Sequence, residues 1–341
     1  MAELRTSVEK RKKESWTAAP SVDQLRVIIN KDGKLLVEAY DPTRAGKVQL
    51  DPTHWGFGQL ATYAKAPATY LRSLPSKLAA INLQYGLENN AVRDTALVLA
   101  QSNGNNQLRA ITSQSYGRIW DIQVVQAVEK ANRDGRWKIP AASYATQNPK
   151  RATTLYASDR DVFIFLVDDQ HPVEIGNEKL FRGFYTWNSE VGAATFGLTT
   201  FLYRTICDNR IIWGATDVKE LRIRHTGGAP ERFGYEGAKL LKRYSEENTV
   251  QTVNTIKAAQ KFELPVSDKE KDGWQGWLRD RGFSDALAKN AISKAKEEEG
   301  EVRSLWDIVN GVTAFARTIP HTDARIEVEQ KAGKLLSLVA K

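Results

Sequence analysis

Apolar and polar positions change period several times along the chain, and each change marks an element. Val27-Ile28-Ile29 and the apolar run after Lys34 flank Asn30-Lys31-Asp32-Gly33, whose Asp-Gly pair predicts a β-hairpin over 27–40. Residues 53–88 recur at helical spacing, with Pro67 and Pro75 as starts or breaks. Two strands follow at 95–100 and 108–112, joined by Asn103-Gly104-Asn105-Asn106. Ile122, Val125 and Val128 then predict an amphipathic helix over 120–132, followed by a loop to 149. The unbroken run Val162-Phe163-Ile164-Phe165-Leu166-Val167 predicts a strand buried on both faces.

From 181 to 228 aromatic and β-branched residues are dense, as pleated strands favour. Helical character returns over 236–262. After a linker at 264–271 come three or four helices, at 274–281, 284–299, 304–317 and 322–340. Ser284 and Ser304 stand at N-cap positions, and Gly282 and Gly300 at stops. Residues 1–20 are polar and carry Lys10-Arg11-Lys12-Lys13, which predicts a basic arm, mobile or helical. The fold class expected is α+β: a mixed or antiparallel central sheet with flanking helices in a core domain over 21–263, and a small helical unit over 272–341.

Composition narrows the function. A hydrophobic share of 41% among 341 residues is enough for a real core, and no apolar run reaches the ~20 residues of a bilayer span. The first residues lack the apolar segment of a secretory signal, so the expected location is cytoplasmic, with no membrane partner. One cysteine, Cys207, excludes an intramolecular disulfide framework, and the four histidines show no metal-ligand spacing. Gly56-Phe57-Gly58-Gln59-Leu60-Ala61 matches a dinucleotide fingerprint in letters, but no apolar strand precedes it. No cofactor and no metal is therefore expected. The net charge of +8 points instead to a polyanionic partner.

The 181–228 stretch holds the candidate binding chemistry. Arg182, Arg204, Arg210, Lys219, Arg222, Arg224, His225 and the nearby Arg232 are interleaved with Tyr185 and Trp187. Cations that meet phosphates and flat rings that stack on bases are one recipe for gripping a single strand. Strand alternation puts Arg222 and Arg224 on one face, about 7 Å apart, a spacing suited to successive phosphates. The alternative for this pair is an edge strand guarded by charge, or ion pairs with Glu220 and Glu231. Glu190 is a candidate partner for Arg182 or Arg204. Asp217-Val218-Lys219, with Glu190 or Asp208, offers the acid-x-Lys spacing of a metal-dependent nuclease, a competing reading. Cys207, between Ile206 and Ile211, reads as a buried apolar thiol rather than a nucleophile.

Four segments together resemble one family, the phage and plasmid proteins classed as domain of unknown function 932. They are Leu108-Arg109-Ala110-Ile111-Thr112-Ser113-Gln114-Ser115-Tyr116, Trp187-Asn188-Ser189-Glu190-Val191-Gly192, Arg204-Thr205-Ile206-Cys207-Asp208-Asn209 followed by Arg224-His225-Thr226-Gly227, and Leu305-Trp306-Asp307-Ile308-Val309-Asn310-Gly311-Val312-Thr313. The resemblance implies the company of replication and recombination genes and carries no catalytic residues. The expected function is non-enzymatic binding of nucleic acid, single-stranded DNA foremost, in recombination or replication. Strand annealing on a homo-oligomer is one mechanism, and an interaction protein aimed at a host factor is a further alternative.

Overall fold

The computed structural model describes residues 1–41, 45–89, 96–102, 104–139, 155–176, 178–204, 209–211, 220–246, 249–263, 265, 273–319 and 322–340. The fold is α+β, built on two sheets. The first has six strands: β1 (Ser15–Ala18), β2 (Arg26–Ile29), β3 (Leu35–Asp41), β4 (Gly46–Pro52), β5 (Ala96–Ser102) and β6 (Asn106–Ser113), in the order β1-β5-β6-β4-β3-β2. Only the β4–β6 pair is parallel; the other pairs are antiparallel. Helices α2 (His54–Tyr63), α3 (Ala68–Ser73) and α4 (Ser76–Asn89) pack against it around Leu50, Leu60, Leu83, Leu87 and Leu108. Thr53 caps α2 by accepting from the Gly56 amide at 3.0 Å.

The second sheet is antiparallel throughout. It contains β7 (Leu155–Ala157), β8 (Val162–Val167), β9 (Val173–Ile175), β10 (Glu178–Asn188), β11 (Phe196–Arg204), β12 (Asn209–Ile211) and β13 (Glu220–Ile223). The continuous apolar run of β8 is buried along its whole length, as expected of a strand covered on both faces. One face packs Ile164, Leu166, Phe184 and Ile223 against α5 (Asp121–Ala131) and α1 (Ala2–Lys13). The other gathers Phe163, Phe165, Phe181, Tyr185 and Phe201 into an aromatic layer.

Residues 1–20 are helical over Ala2–Lys13, as one of the two expectations had it, but they are docked rather than free. Leu4 and Val8 are buried with α5, and β1 pairs along β5 from Ser15 to Ala18. Two apolar residues a turn apart and one short strand suffice to dock a segment whose average composition is polar. The helical stretch expected over 236–262 is divided: α6 (Ala229–Arg232) runs into a π-turn at Phe233–Gly237, then come α7 (Ala238–Glu246) and α8 (Val250–Lys261).

The C-terminal helices are α9 (Gly273–Arg279), α10 (Asp285–Glu299), α11 (Leu305–Ala316) and α12 (Thr322–Leu336). The Ser284 and Ser304 hydroxyls accept from the Leu287 and Asp307 amides, as N-caps do. Their core is continuous with Ile256 of α8 and with Val173, Ile175, Leu180 and Leu202 of the second sheet. The expected linker lies outside the described residues except for Pro265. Among the described residues no helix is long and apolar enough to cross a membrane.

Candidate nucleic-acid interface

The two sheets meet at a buried ionic cluster that begins with a bulge. Leu99 pairs with Ala110 while Ala100 pairs with Leu108, so Arg109 is the extra residue on β6. The backbone of α2 lies close against this bulge: a Cβ on Gly56 would stand 2.5 Å from the Leu108 carbonyl oxygen. The re-aimed Arg109 places Nη1 2.6 Å from Oε1 of Glu190, and Nε of Arg11 lies 3.1 Å from the same oxygen. The other carboxylate oxygen accepts from the Asp121 amide, the first of α5, at 3.1 Å. Glu190 thus caps the positive end of that helix as well as two guanidiniums. Asp121 contacts Arg11 through Oδ2, and its Oδ1 accepts from Asn188 Nδ2 at 2.7 Å. The Asn188 amide also donates to the Ile119 carbonyl, and Arg118 donates to the Glu190 carbonyl.

Arg109, Asp121, Asn188 and Glu190 are each no more than 3% exposed. Burial alone would push the Glu190 carboxyl up, but Arg109 and Arg11 outweigh it and hold the group below its ordinary value. Asp121 moves the opposite way: burial first, then the neighbouring Glu190 charge, raise it well above the ordinary carboxyl range, against the pull of Arg11. Burial lowers both Arg109 and Arg118. The pair is therefore split into a firm anion at 190 and an acid at 121 that resists ionisation.

The turn after β10 docks onto the first sheet. The Val191 carbonyl accepts from Trp55 Nε1 and from Gln59 Nε2, both at 2.9 Å, while Gln59 Oε1 accepts from the Ile111 amide. Val191 itself packs on Leu99 and Ala110, with Trp55 and Trp120 alongside. Ser189 donates to the Arg160 carbonyl and accepts from the Ala193 amide, and Tyr116 donates to the Ser189 carbonyl at 2.8 Å. Tyr116 stacks on His225, centroids 4.9 Å apart, and His225 Nδ1 donates to the Gly117 carbonyl. Burial holds this histidine below its ordinary pKa.

Around that turn stand three half-buried tryptophans, each with an exposed cation near its ring. Lys12 Nζ lies 4.8 Å from the Trp120 ring centroid, the Arg160 guanidinium 5.9 Å from Trp55, and the Arg222 guanidinium 5.7 Å from Trp187. Arg118 adds a buried cation near Trp120, at 5.6 Å. Cross-strand register explains the Trp187 member: Tyr156, Phe163, Trp187, Gly197 and Arg222 form one row across β7, β8, β10, β11 and β13. Gly197 supplies the space, because a Cβ there would be 2.0 Å from the Trp187 ring.

Several residues expected at a binding face are elsewhere. Tyr185 is fully buried, since β10 is central in its sheet and covered on both sides. Arg182 is buried too: Nη1 donates to the Tyr244 carbonyl at 3.1 Å, with the guanidinium 5.6 Å from the Tyr244 ring. Neither can meet a polymer. Glu190 pairs with Arg109 and Arg11 rather than Arg182, because Asn188 ends the strand and the following turn swings the carboxylate toward β6. Trp187 and His225 are half-buried, and Arg222 and Arg224 are exposed. Arg232 is exposed but makes two hydrogen bonds to Glu236, at 2.9 and 3.0 Å. Lys219, Asp217, Asp208, Cys207 and the side chains of Arg204 and Arg210 lie outside the described residues. Among the described residues no cluster of three or more His, Cys, Asp or Glu could hold a metal ion.

Sequence reasoning passed over Trp55, Arg118, Trp120, Asp121 and Arg160, and it placed Arg11 and Lys12 in a basic run without seeing their partners. For Arg109 a signal existed: a lone charge inside Leu108-Arg109-Ala110-Ile111 needs a buried partner. Residues from three of the four segments singled out in the sequence, at 109–116, 187–192 and 225, converge on this junction. No family model matches the chain, and no curated protein or solved structure matches it.

Proposed function

We propose that this chain binds single-stranded nucleic acid at the junction between its sheets, with DNA undergoing recombination or replication on a phage or plasmid as the setting. The observation that carries the reading is the set of three tryptophan–cation pairs around the 188–193 turn, Trp120 with Lys12, Trp55 with Arg160 and Trp187 with Arg222. An aromatic face is indifferent to base identity, and a nearby cation meets the phosphate beside a stacked base. The net charge of +8 favours the same class of partner, and the resemblance to mobile-element proteins supplies the setting by association alone. The buried cluster takes a structural part, fixing the backbone from which the rings emerge.

The test is the triple variant Lys12→Glu, Arg160→Glu, Arg222→Glu, measured by fluorescence anisotropy with labelled single-stranded and duplex oligonucleotides across a salt series. Loss of three phosphate contacts should flatten the slope of log K against log salt by about 2, at ~0.7 per contact on a single strand. Quenching of tryptophan emission by the wild-type complex should accompany binding. Unchanged affinity and slope in the triple variant would place the polymer elsewhere, and absence of wild-type binding at low salt would remove the function.

A further inference from the structure

Helix α4 carries two apolar faces, only one of which is buried among the described residues. Ala79, Ala80, Leu83, Gly86 and Leu87 are buried, and a Cβ on Gly86 would stand 2.3 Å from the Ala64 carbonyl oxygen, a measure of how closely the inner face seats. On the outer side Leu78, Ile81 and Tyr85 follow one another at helical spacing and are 49%, 64% and 65% exposed. Tyr70 on the preceding helix is 55% exposed. The polar residues within the stripe are uncharged: Asn82 and Asn89 fold back to donate to the Leu78 and Tyr85 carbonyls. A contiguous apolar stripe of this kind marks an interaction surface.

We propose that this face binds a second copy of the same chain, α4 against α4, antiparallel about a twofold axis near residues 81 and 82. The charges at its border select that occupant. Lys77 and Glu88, eleven positions apart, lie on the same flank of the helix at ~100° per residue, and an antiparallel pair brings like flanks together. With the axis at the stripe's centre, Leu78 faces Tyr85 of the second copy. Lys77 falls within about 3 Å, along the axis, of Glu88 of that copy, an offset that a lysine side chain spans. Lys77 is exposed and has no ion pair among the described residues, while Glu88 is exposed in a surface pair with Arg26. A polyanion would find one cation and one carboxylate here, and an anionic membrane the same; only a copy of this face complements both.

Sedimentation equilibrium over a concentration series tests this. The wild type should approach twice its 38.2 kDa at high concentration and dissociate on dilution. Ile81→Glu should stay at the single-chain mass with an unchanged circular dichroism spectrum and melting temperature, since the side chain is exposed. Lys77→Glu should weaken association by about tenfold, and adding Glu88→Lys should restore it. A wild type that remains monomeric, an Ile81→Glu variant that still dimerises, or a charge swap that fails to restore the dimer would each overturn the proposal.

Discussion

Replacing Glu190 with glutamine should be among the most damaging single-atom-scale changes this fold can suffer. The carboxylate meets Arg109 at 2.6 Å, Arg11 at 3.1 Å and the first amide of α5 at 3.1 Å, with almost no solvent to compensate. A glutamine keeps one acceptor for the helix amide but turns an N–H₂ or a neutral oxygen toward two guanidiniums. Breaking a buried pair on one side costs about 3–5 kcal/mol, most of it the exposure of the abandoned charge to a low-dielectric interior. With an m-value near ~3 kcal/mol/M, urea unfolding should move its midpoint down by roughly 1–1.7 M.

Asp121→Asn is the internal control: burial already disfavours that carboxylate, so its loss should cost clearly less at neutral pH. The two residues also carry opposite pH signs. Glu190 is depressed, so its contribution is full above its unfolded value of 4.5 and is lost as pH falls through the lower folded value. Asp121 is raised, so its contribution is present below 3.8 and lost as pH rises through the folded value. The Glu190→Gln deficit should therefore shrink in acid. Arg109→Met combined with Glu190→Met should be less destabilised than the sum of the single changes, by ~0.5–3 kcal/mol. A Glu190→Gln loss below about 1 kcal/mol, or strict additivity in the cycle, would refute the cluster as an organising contact.

Two further outcomes follow from the same junction. Because burial lowers the His225 pKa, wild-type stability should fall as pH drops from 6.5 toward the folded value, and His225→Phe, which keeps the ring beside Tyr116, should abolish that dependence in urea titrations at pH 5–8. Gly197→Ala should displace the Trp187 ring, lowering stability by about 1–3 kcal/mol and shifting tryptophan emission, because the new Cβ would sit 2.0 Å from it. An unchanged emission spectrum would mean that the Trp187 row does not pack as described.

What the sequence made legible was local. Gly33, Gly282 and Gly300 take positive φ at 78°, 80° and 74° where a turn and two helix stops are expected. Pro67 and Pro75 stand at the starts of α3 and α4, and the run at 162–167 is the doubly covered strand its composition describes. Pairings distant along the chain were not legible. The parallel contact of β4 with β6 and the addition of β1 to β5 leave no period in the sequence, because strand neighbours are chosen by burial elsewhere in the fold. Tyr185 and Arg182 were misjudged for the same reason. Alternation assigns them to opposite faces of β10, but it does not say that both faces are covered.

The junction also explains why the surface residues of the proposed site are spread so widely along the chain. Lys12 follows the half-buried Arg11, Trp120 precedes the buried Asp121, and Trp187 precedes the buried Asn188. In each case one residue is drawn into the ionic cluster, and its neighbour is turned outward at a fixed place. A sequence scan for basic and aromatic residues therefore finds the densest stretch, 181–228, which holds the Trp187–Arg222 pair, while the other two pairs assemble from helix α1, helix α2, the start of α5 and the turn between β7 and β8. The same geometry separates the two roles experimentally. Charge reversal at Lys12, Arg160 and Arg222 removes exposed cations from an intact scaffold and should alter binding at constant stability. Loss of Glu190 releases the scaffold that sets those neighbours, so binding and stability should fall together.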